Sequence, residues 1–223
     1  MVSNSYSDKL VKFFGGHKPY HYKKGEILIR PDDEPMNVYL IKEGYVRVYK
    51  ITDWGDIKVQ IVYKKGEIFP INWILGDEVS EEFFEAMDDL LVYKAAKKEF
   101  MEFMRETPDG LSELAMRILA VLKVSRERTD NLLFTDAYSR LISRLLHLVR
   151  RFGDKQEGTI TIQAPVNQKD IAFSIGMTRE TASRQLSRLE RKRLITYKNH
   201  LIVIKDLAAL QEELSHSHER KKL

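Results

Sequence analysis

Residues 167–195, NQKDIAFSIGMTRETASRQLSRLERKRLI, constrain this chain more than any other stretch, because they specify two short helices joined by a turn just long enough to cross them sharply. Asn167 is a natural N-cap, Asp170 puts an acid in the first helical turn, and Ile171, Ala172 and Ile175 give that helix one small apolar face. Gly176 supplies the left-handed conformation in which helices often end, and Thr178 caps a second helix two residues later. In that helix Ala182, Leu186 and Leu189 fall at i, i+4 and i+7 and form the inward stripe. Glu180, Arg184, Ser187 and Arg191 cluster on the opposite side, flanked by Ser183 and Arg188, with Arg179 at the amino end. A solvated amphipathic helix would also present charge, but salt-bridge laces alternate Glu with Lys, and this face carries Arg and Ser.

Charge supports a polyanionic partner for the same part of the chain. From Thr135 onward 17 Lys and Arg stand against 10 Asp and Glu, a net of +7, whereas the preceding residues carry −3. The absence of cysteine excludes disulfides, thiol switches, thiolate zinc and cysteine-ligated iron–sulfur clusters. No apolar run approaches membrane length and MVSNSYSDKL has no leader pattern, so a cytoplasmic protein without a membrane span is expected. No Gly-rich phosphate loop, H-E-x-x-H, G-x-S-x-G or cysteine nucleophile is present, and an enzyme is not expected.

Ahead of the two-helix element, residues 7–14 read as a short helix, and strands are expected at 27–29, 38–41, 46–51, 57–63 and 90–93. Pro31-Asp32-Asp33, Glu43-Gly44, Asp53-Trp54-Gly55-Asp56 and Gly66-Glu67 punctuate them, a spacing that suits a barrel or sandwich. A helix begins at Lys97 and stops at Pro108, and a long one follows over 111–134. Its stripe, Leu111, Leu114, Ile118, Val121 or Leu122, Ser125, Arg128 and Leu132, steps by three and four residues as in a coiled coil. Asp136 caps a helix over 137–151 that Gly153 closes, and the turn between Phe134 and Asp136 is a candidate hinge. A short strand at 159–162 precedes the two-helix element, and residues 195–198 and 201–205 around Asn199-His200 form a hairpin after it. The whole element is then a winged helix-turn-helix, followed by a polar, loose tail from Ser215.

In these features the chain resembles the Crp/Fnr transcription regulators. The match is carried by Tyr22-Lys23-Lys24-Gly25-Glu26-Ile27-Leu28, by residues 38–48 with their turn glycine, and above all by Thr178-Arg179-Glu180-Thr181-Ala182-Ser183-Arg184. The resemblance implies an α+β chain with an N-terminal β jelly-roll barrel like a cyclic-nucleotide-binding domain at 1–107, a long dimerisation helix at 108–134, and a C-terminal winged helix-turn-helix domain at 135–223. It also implies a homodimer paired through Leu111, Leu114, Ile118, Val121, Leu122, Ser125 and Leu132, with double-stranded DNA and RNA polymerase as partners.

Arg offers two donors to guanine O6 and N7, and Glu accepts from cytosine N4. Carried over from the family, Glu180 and Arg184 match the pair that reads the core G·C pair and its neighbours. Ser183 completes the E-x-x-S-R form of the Fnr branch and Arg179 the R-E-T-x-x-R form of the Crp branch. A palindromic site with half-sites like TGTGA or TTGA is therefore expected. Asn167, Gln168, Thr178, Thr181, Lys198 and His200 lie where family members touch phosphates, although capping or turn formation alone would account for Asn167 and Thr178.

The family's cyclic-nucleotide pocket uses an adjacent Glu and an Arg-Ser pair to hold ribose and phosphate. Here Pro70 and Ile71 replace the expected Gly and Glu, and Ser80 and Glu81 stand in place of Arg and Ser. Adjacent carboxylates repel a phosphate, so cyclic AMP or GMP is not expected and no cofactor is assigned. Phe69 and Trp73, together with Ser125 and Arg126 on the long helix, are the residues where another effector would lie, with Phe83 and Phe84 as further aromatic lining. His17 and His21 could ligate haem or a metal but lack a third ligand. A winged helix that binds protein rather than DNA is the remaining alternative.

Overall fold

The β-branched and aromatic runs of the first half pair into two four-stranded antiparallel sheets. A computed structural model describes residues 4–34, 36–53, 55, 57–71, 76, 81–134 and 136–219, with side chains at 4–7, 58–60, 127, 128, 131–134 and 216–219 outside the description. The chain divides into two compact units, Met1–Val124 and Ser125–Leu223, and the division falls inside one helix.

In the first unit the strands are β1 (Pro19–Tyr22), β2 (Ile27–Ile29), β3 (Asn37–Glu43), β4 (Tyr45–Ile51), β5 (Ile57–Lys64), β6 (Ile68–Phe69), β7 (Phe83–Ala86) and β8 (Leu90–Ala96). One sheet has the order β1-β8-β3-β6 and the other β2-β7-β4-β5. Because consecutive strands are interleaved between two sheets, the connectivity is that of a jelly roll, as expected. Period-two alternation sends Val46 and Val48 of β4 into the core while Arg47 faces away, and a bulge after Val48 then shifts the register. Gly44 makes the β3–β4 turn at φ +91°, where a Cβ would come within 2.8 Å of both Asp88 Oδ1 and the Asp89 carbonyl. Helix α1 (Asn4–Gly15) and helix α2 (Lys97–Glu106) pack against β8, and Phe13 stacks on Phe103 with ring centroids 4.3 Å apart.

The long helix α3 (Gly110–Phe134) corrects one residue of the expected seam. Leu114 is only 1% exposed and belongs to the core of its own unit, with Ile118 packed against that core. Among the described side chains of α3, the large apolar ones left in solvent are Leu111, Met116, Leu119, Leu122 and Val124. Of the expected stripe, Leu111, Leu122 and Ser125 are exposed, Val121 is half-buried, and the Arg128 and Leu132 side chains lie outside the described residues; Arg126, expected at an effector, is exposed as well. A three-four repeat in sequence cannot separate the edge of a stripe that caps a barrel from the edge left bare.

The second unit contains α4 (Ala137–Phe152), β9 (Gly153–Gln156), β10 (Thr159–Ile162), α5 (Gln168–Ser174), α6 (Arg179–Arg191), β11 (Ile195–Lys198), β12 (Leu201–Ile204) and α7 (Leu207–Glu219). Its sheet has the order β11-β12-β10-β9. Asp136 caps α4 as expected, its Oδ1 accepting from Ser139 N at 2.8 Å. Gly153 closes α4 and leads directly into β9, since a Cβ there would lie 2.4 Å from the Val149 carbonyl and 2.8 Å from Ile160 Cγ2. The expected loose tail from Ser215 is corrected in part: residues 215–219 belong to α7, which Asp206 starts by accepting from Ala209 N at 2.9 Å and fully buried Leu210 anchors, and residues 220–223 lie outside the described residues. Leu114→Ala is expected to lower stability by about 3 kcal/mol, measured by denaturant unfolding, because the side chain is buried in the barrel's own core.

Candidate nucleic-acid interface

Capping chemistry sets both helices of the two-helix element. Asn167 Oδ1 accepts from Asp170 N at 2.9 Å, and Asp170 Oδ2 accepts from Asn167 N at 3.0 Å, a reciprocal capping box. Gly176, at φ +63°, makes the turn, with Met177 N donating to the Ala172 carbonyl at 3.1 Å. Thr178 then caps α6, its Oγ1 accepting from Thr181 N at 3.2 Å. Ala182, Leu186 and Leu189 are buried, so the other face of α6 is fixed toward solvent.

On that face Arg179, Glu180 and Arg184 are exposed and Ser183 is half-buried. Arg184 Nη2 donates to Thr181 Oγ1 at 3.4 Å, and Thr178 Oγ1 lies 3.1 Å from Thr181 Oγ1. The Glu180 carboxyl is held below the ordinary Glu range, first by its own backbone N–H and then by the Thr178 hydroxyl. It is therefore an ionised acceptor at neutral pH, flanked by guanidinium donors and a hydroxyl. Such a face can hydrogen-bond the edges of bases in a major groove.

The wing is the hairpin of β11 and β12. Its two-residue turn puts Asn199 at φ +49° and His200 at φ +64°, the mirror-image turn that matches strand twist. A groove of about 370 Å³ lies between the start of α5 and this hairpin, lined by Val166, Asn167, Gln168, Tyr197, Asn199, His200 and Ile202. Gln168 Nε2 donates to the Tyr197 hydroxyl at 3.3 Å. Burial pushes the Tyr197 phenol up, so it is neutral and can donate in turn. Of the six residues expected at phosphates, Asn167, Gln168 and His200 meet in this groove, with Lys198 exposed on the adjoining strand. Thr178 and Thr181 stand apart from them at the head of α6, bonded to each other. Tyr197 and Asn199 were not anticipated from sequence, since a strand aromatic and a turn Asn have ordinary local explanations.

The first unit places its expected effector residues differently. Phe69 is fully buried in the aromatic core, stacked on Tyr39 with centroids 5.0 Å apart. Phe84 packs in the same core, while Phe83 stacks on Tyr49. Trp73 and Ser80 lie outside the described residues. Glu81 is ion-paired with Lys50. Arg47 and Glu85, unforeseen in sequence, face each other across β4 and β7, with Nη2 2.8 and 3.0 Å from the two carboxylate oxygens. His17 has both ring nitrogens engaged, Nδ1 with the Phe13 carbonyl and Nε2 with Glu99 Oε1, each at 3.1 Å. Among the described residues no group of three His, Asp or Glu could hold a metal ion, and no helix is long and apolar enough to cross a membrane.

Two family models match the chain: a cyclic nucleotide-binding domain over residues 19–107 and a Crp-like helix-turn-helix domain over residues 139–213. Among curated relatives, the fumarate and nitrate reduction regulatory protein of Vibrio cholerae is 26% identical over 99% of this chain and 87% of that protein. The global nitrogen regulator of Synechococcus elongatus is 28% identical over 87% of this chain and 88% of its own length. Among solved structures, FixK2 from Bradyrhizobium japonicum shares the fold with a TM-score of 0.76 at 23% identity, covering 88% of this chain and 96% of that one. A CooA mutant from Carboxydothermus hydrogenoformans has a TM-score of 0.75 at 25% identity, covering 91% and 90%.

The Glu180 carboxylate has a lowered folded-state pKa, so its favourable contacts are present above the ordinary Glu range and are lost as pH falls through the depressed value. NMR titration is expected to place its midpoint below that of an exposed Glu, and Thr178→Val is expected to return it upward. Asn167→Ala, which opens the capping box, is expected to cost about 1 kcal/mol of stability in thermal unfolding.

Proposed function

We propose that the chain, which matches a cyclic nucleotide-binding domain and a Crp-like helix-turn-helix domain, is a Crp/Fnr-type, homodimeric, sequence-specific transcription regulator of a palindromic site with TGTGA-like or TTGA-like half-sites. One observation carries this reading: α6 is capped and buried so that Glu180 and Arg184, with Ser183 beside them and Arg179 at the amino end, face solvent as base-reading groups. Asn167, Gln168, Thr178, Thr181, Lys198 and His200 position the unit on phosphates, and the groove beside the wing supports that role for three of them. Two readers must sit about 34 Å apart, one turn of duplex, and a dimer supplies the spacing.

The apolar side chains Leu111, Leu119 and Leu122 left exposed on α3 support pairing with a second copy. In this reading residues 1–107 form the sensor barrel, 108–134 the dimerisation helix and 135–223 the DNA-binding domain. The protein works in the cytoplasm and engages RNA polymerase. A cyclic nucleotide does not control it: Pro70 and Ile71 stand where the family has Gly and Glu, Ile71 is buried, and Glu81 puts a carboxylate where a phosphate would need a cation or hydroxyl. Ser125 and Arg126, exposed on α3, are where another effector would act, and without one the protein is governed by its own abundance.

Glu180→Ala and Arg184→Ala are each expected to weaken binding to such a palindrome and to relax base preference, by about 1–3 kcal/mol, in fluorescence-anisotropy titrations. Lys198→Ala should weaken all sequences alike and reduce the salt slope by about 1. Unchanged affinity and base preference in Glu180→Ala would remove the assigned readout. Leu122→Glu is expected to dissociate the dimer in sedimentation equilibrium.

A further inference from the structure

The far end of α6 is held by contacts that base reading does not use. Arg188, four residues beyond Arg184, lays its guanidinium over the Tyr138 ring, 3.9 Å from the centroid. Tyr138 sits in the first turn of α4, and its hydroxyl donates to Glu213 Oε1 on α7 at 3.0 Å. The same oxygen accepts from the ammonium of Lys192, the C-cap of α6. Three helices thus meet at one carboxylate. Burial raises the Glu213 carboxyl, but the bonds from Lys192 and Tyr138 and the charges of Lys192 and Arg188 outweigh it, leaving the group below the ordinary Glu range. Burial and Glu213 together push the Tyr138 phenol up. At neutral pH the cluster is a carboxylate acceptor, a phenol donor and two cations.

The mechanical consequence follows from helix geometry. The buried stripe of α6 begins at a small residue, Ala182, and a narrow stripe resists translation better than roll about the helix axis. At 100° per residue Arg188 and Lys192 fall to one side of that stripe, between it and the reading face. Contacts there oppose roll directly. A roll of about 10° moves a side-chain tip 5–6 Å from the axis by about 1 Å, enough to spoil a hydrogen bond to a base edge.

We propose that Tyr138 and Glu213 are positioning residues for base readout: by holding Arg188 and Lys192 they set the roll of α6, and with it the discrimination made by Glu180 and Arg184. The role rests on the DNA-reading function proposed above, and it makes the C-terminal helix α7 part of the reader. Arg188, in this arrangement, is a strut and not a phosphate contact.

The test uses the full chain and two duplexes: the tightest palindrome selected by the wild type from random DNA, and the same duplex with the most discriminated base pair of each half-site exchanged. Glu213→Ala is expected to lower the ratio of the two affinities about tenfold, with an unchanged salt slope. Glu213→Gln and Tyr138→Phe, which keep the packing and, in the latter, the ring under Arg188, are expected to lower it less. In a Glu180→Ala/Arg184→Ala background Glu213→Ala should no longer change the ratio, because the groups it positions are gone. If the variants weaken both duplexes by one factor, or lower only the melting temperature, the residues are structural and the positioning role is overturned. A wild type that prefers no duplex over any other overturns the DNA-reading function itself, and this role with it.

Discussion

Burial of Ala182, Leu186 and Leu189 decides which side of α6 meets solvent, and the rest of the second unit is arranged to keep that decision. An α-helix carries no intrinsic preference for which way it is rolled; packing supplies it. Here the amino end is fixed by Thr178 and the reciprocal Asn167–Asp170 box, which pins the preceding helix. The carboxyl end is fixed by Tyr138, Arg188, Lys192 and Glu213. Between these anchors Arg179, Glu180 and Arg184 are left exposed with Ser183 half-buried beside them, held by short local bonds, which is the preorganisation a surface needs to read another molecule's hydrogen-bonding groups.

Local chemistry was the part of this legible in sequence. Asn167, Thr178 and Asp136 each cap the free amide three positions on, Asp170 reaches back to the Asn167 amide, and the wing turn follows from two residues tolerant of positive φ. Non-local pairing was less legible. Strands β1, β6 and β7 are too short to show alternation and exist because β8, β3 and β4 offer them ladder partners. The Tyr138–Glu213 bond joins residues 75 positions apart, so nothing in the local pattern of either residue announces it. Periodicity also misassigned Leu114, because a stripe reports that a face is apolar and not what covers it.

The barrel and the reader stand in different relation to their family resemblance. The jelly roll keeps the strand order and turn glycine that define the frame, yet Phe69 is consumed by core packing and Glu81 by Lys50. The second unit instead presents an acceptor and two guanidinium donors in solvent, with a half-buried hydroxyl beside them.

Selection of bound sites from random duplex DNA, with and without small metabolites added, tests the central claim most directly. The expected result is an inverted repeat with a G·C pair in each half-site and half-site centres about one helical turn apart, enriched without any cyclic nucleotide. Enrichment of no sequence, or of a single unpaired half-site, would contradict the account of α6 as one half of a two-fold DNA reader.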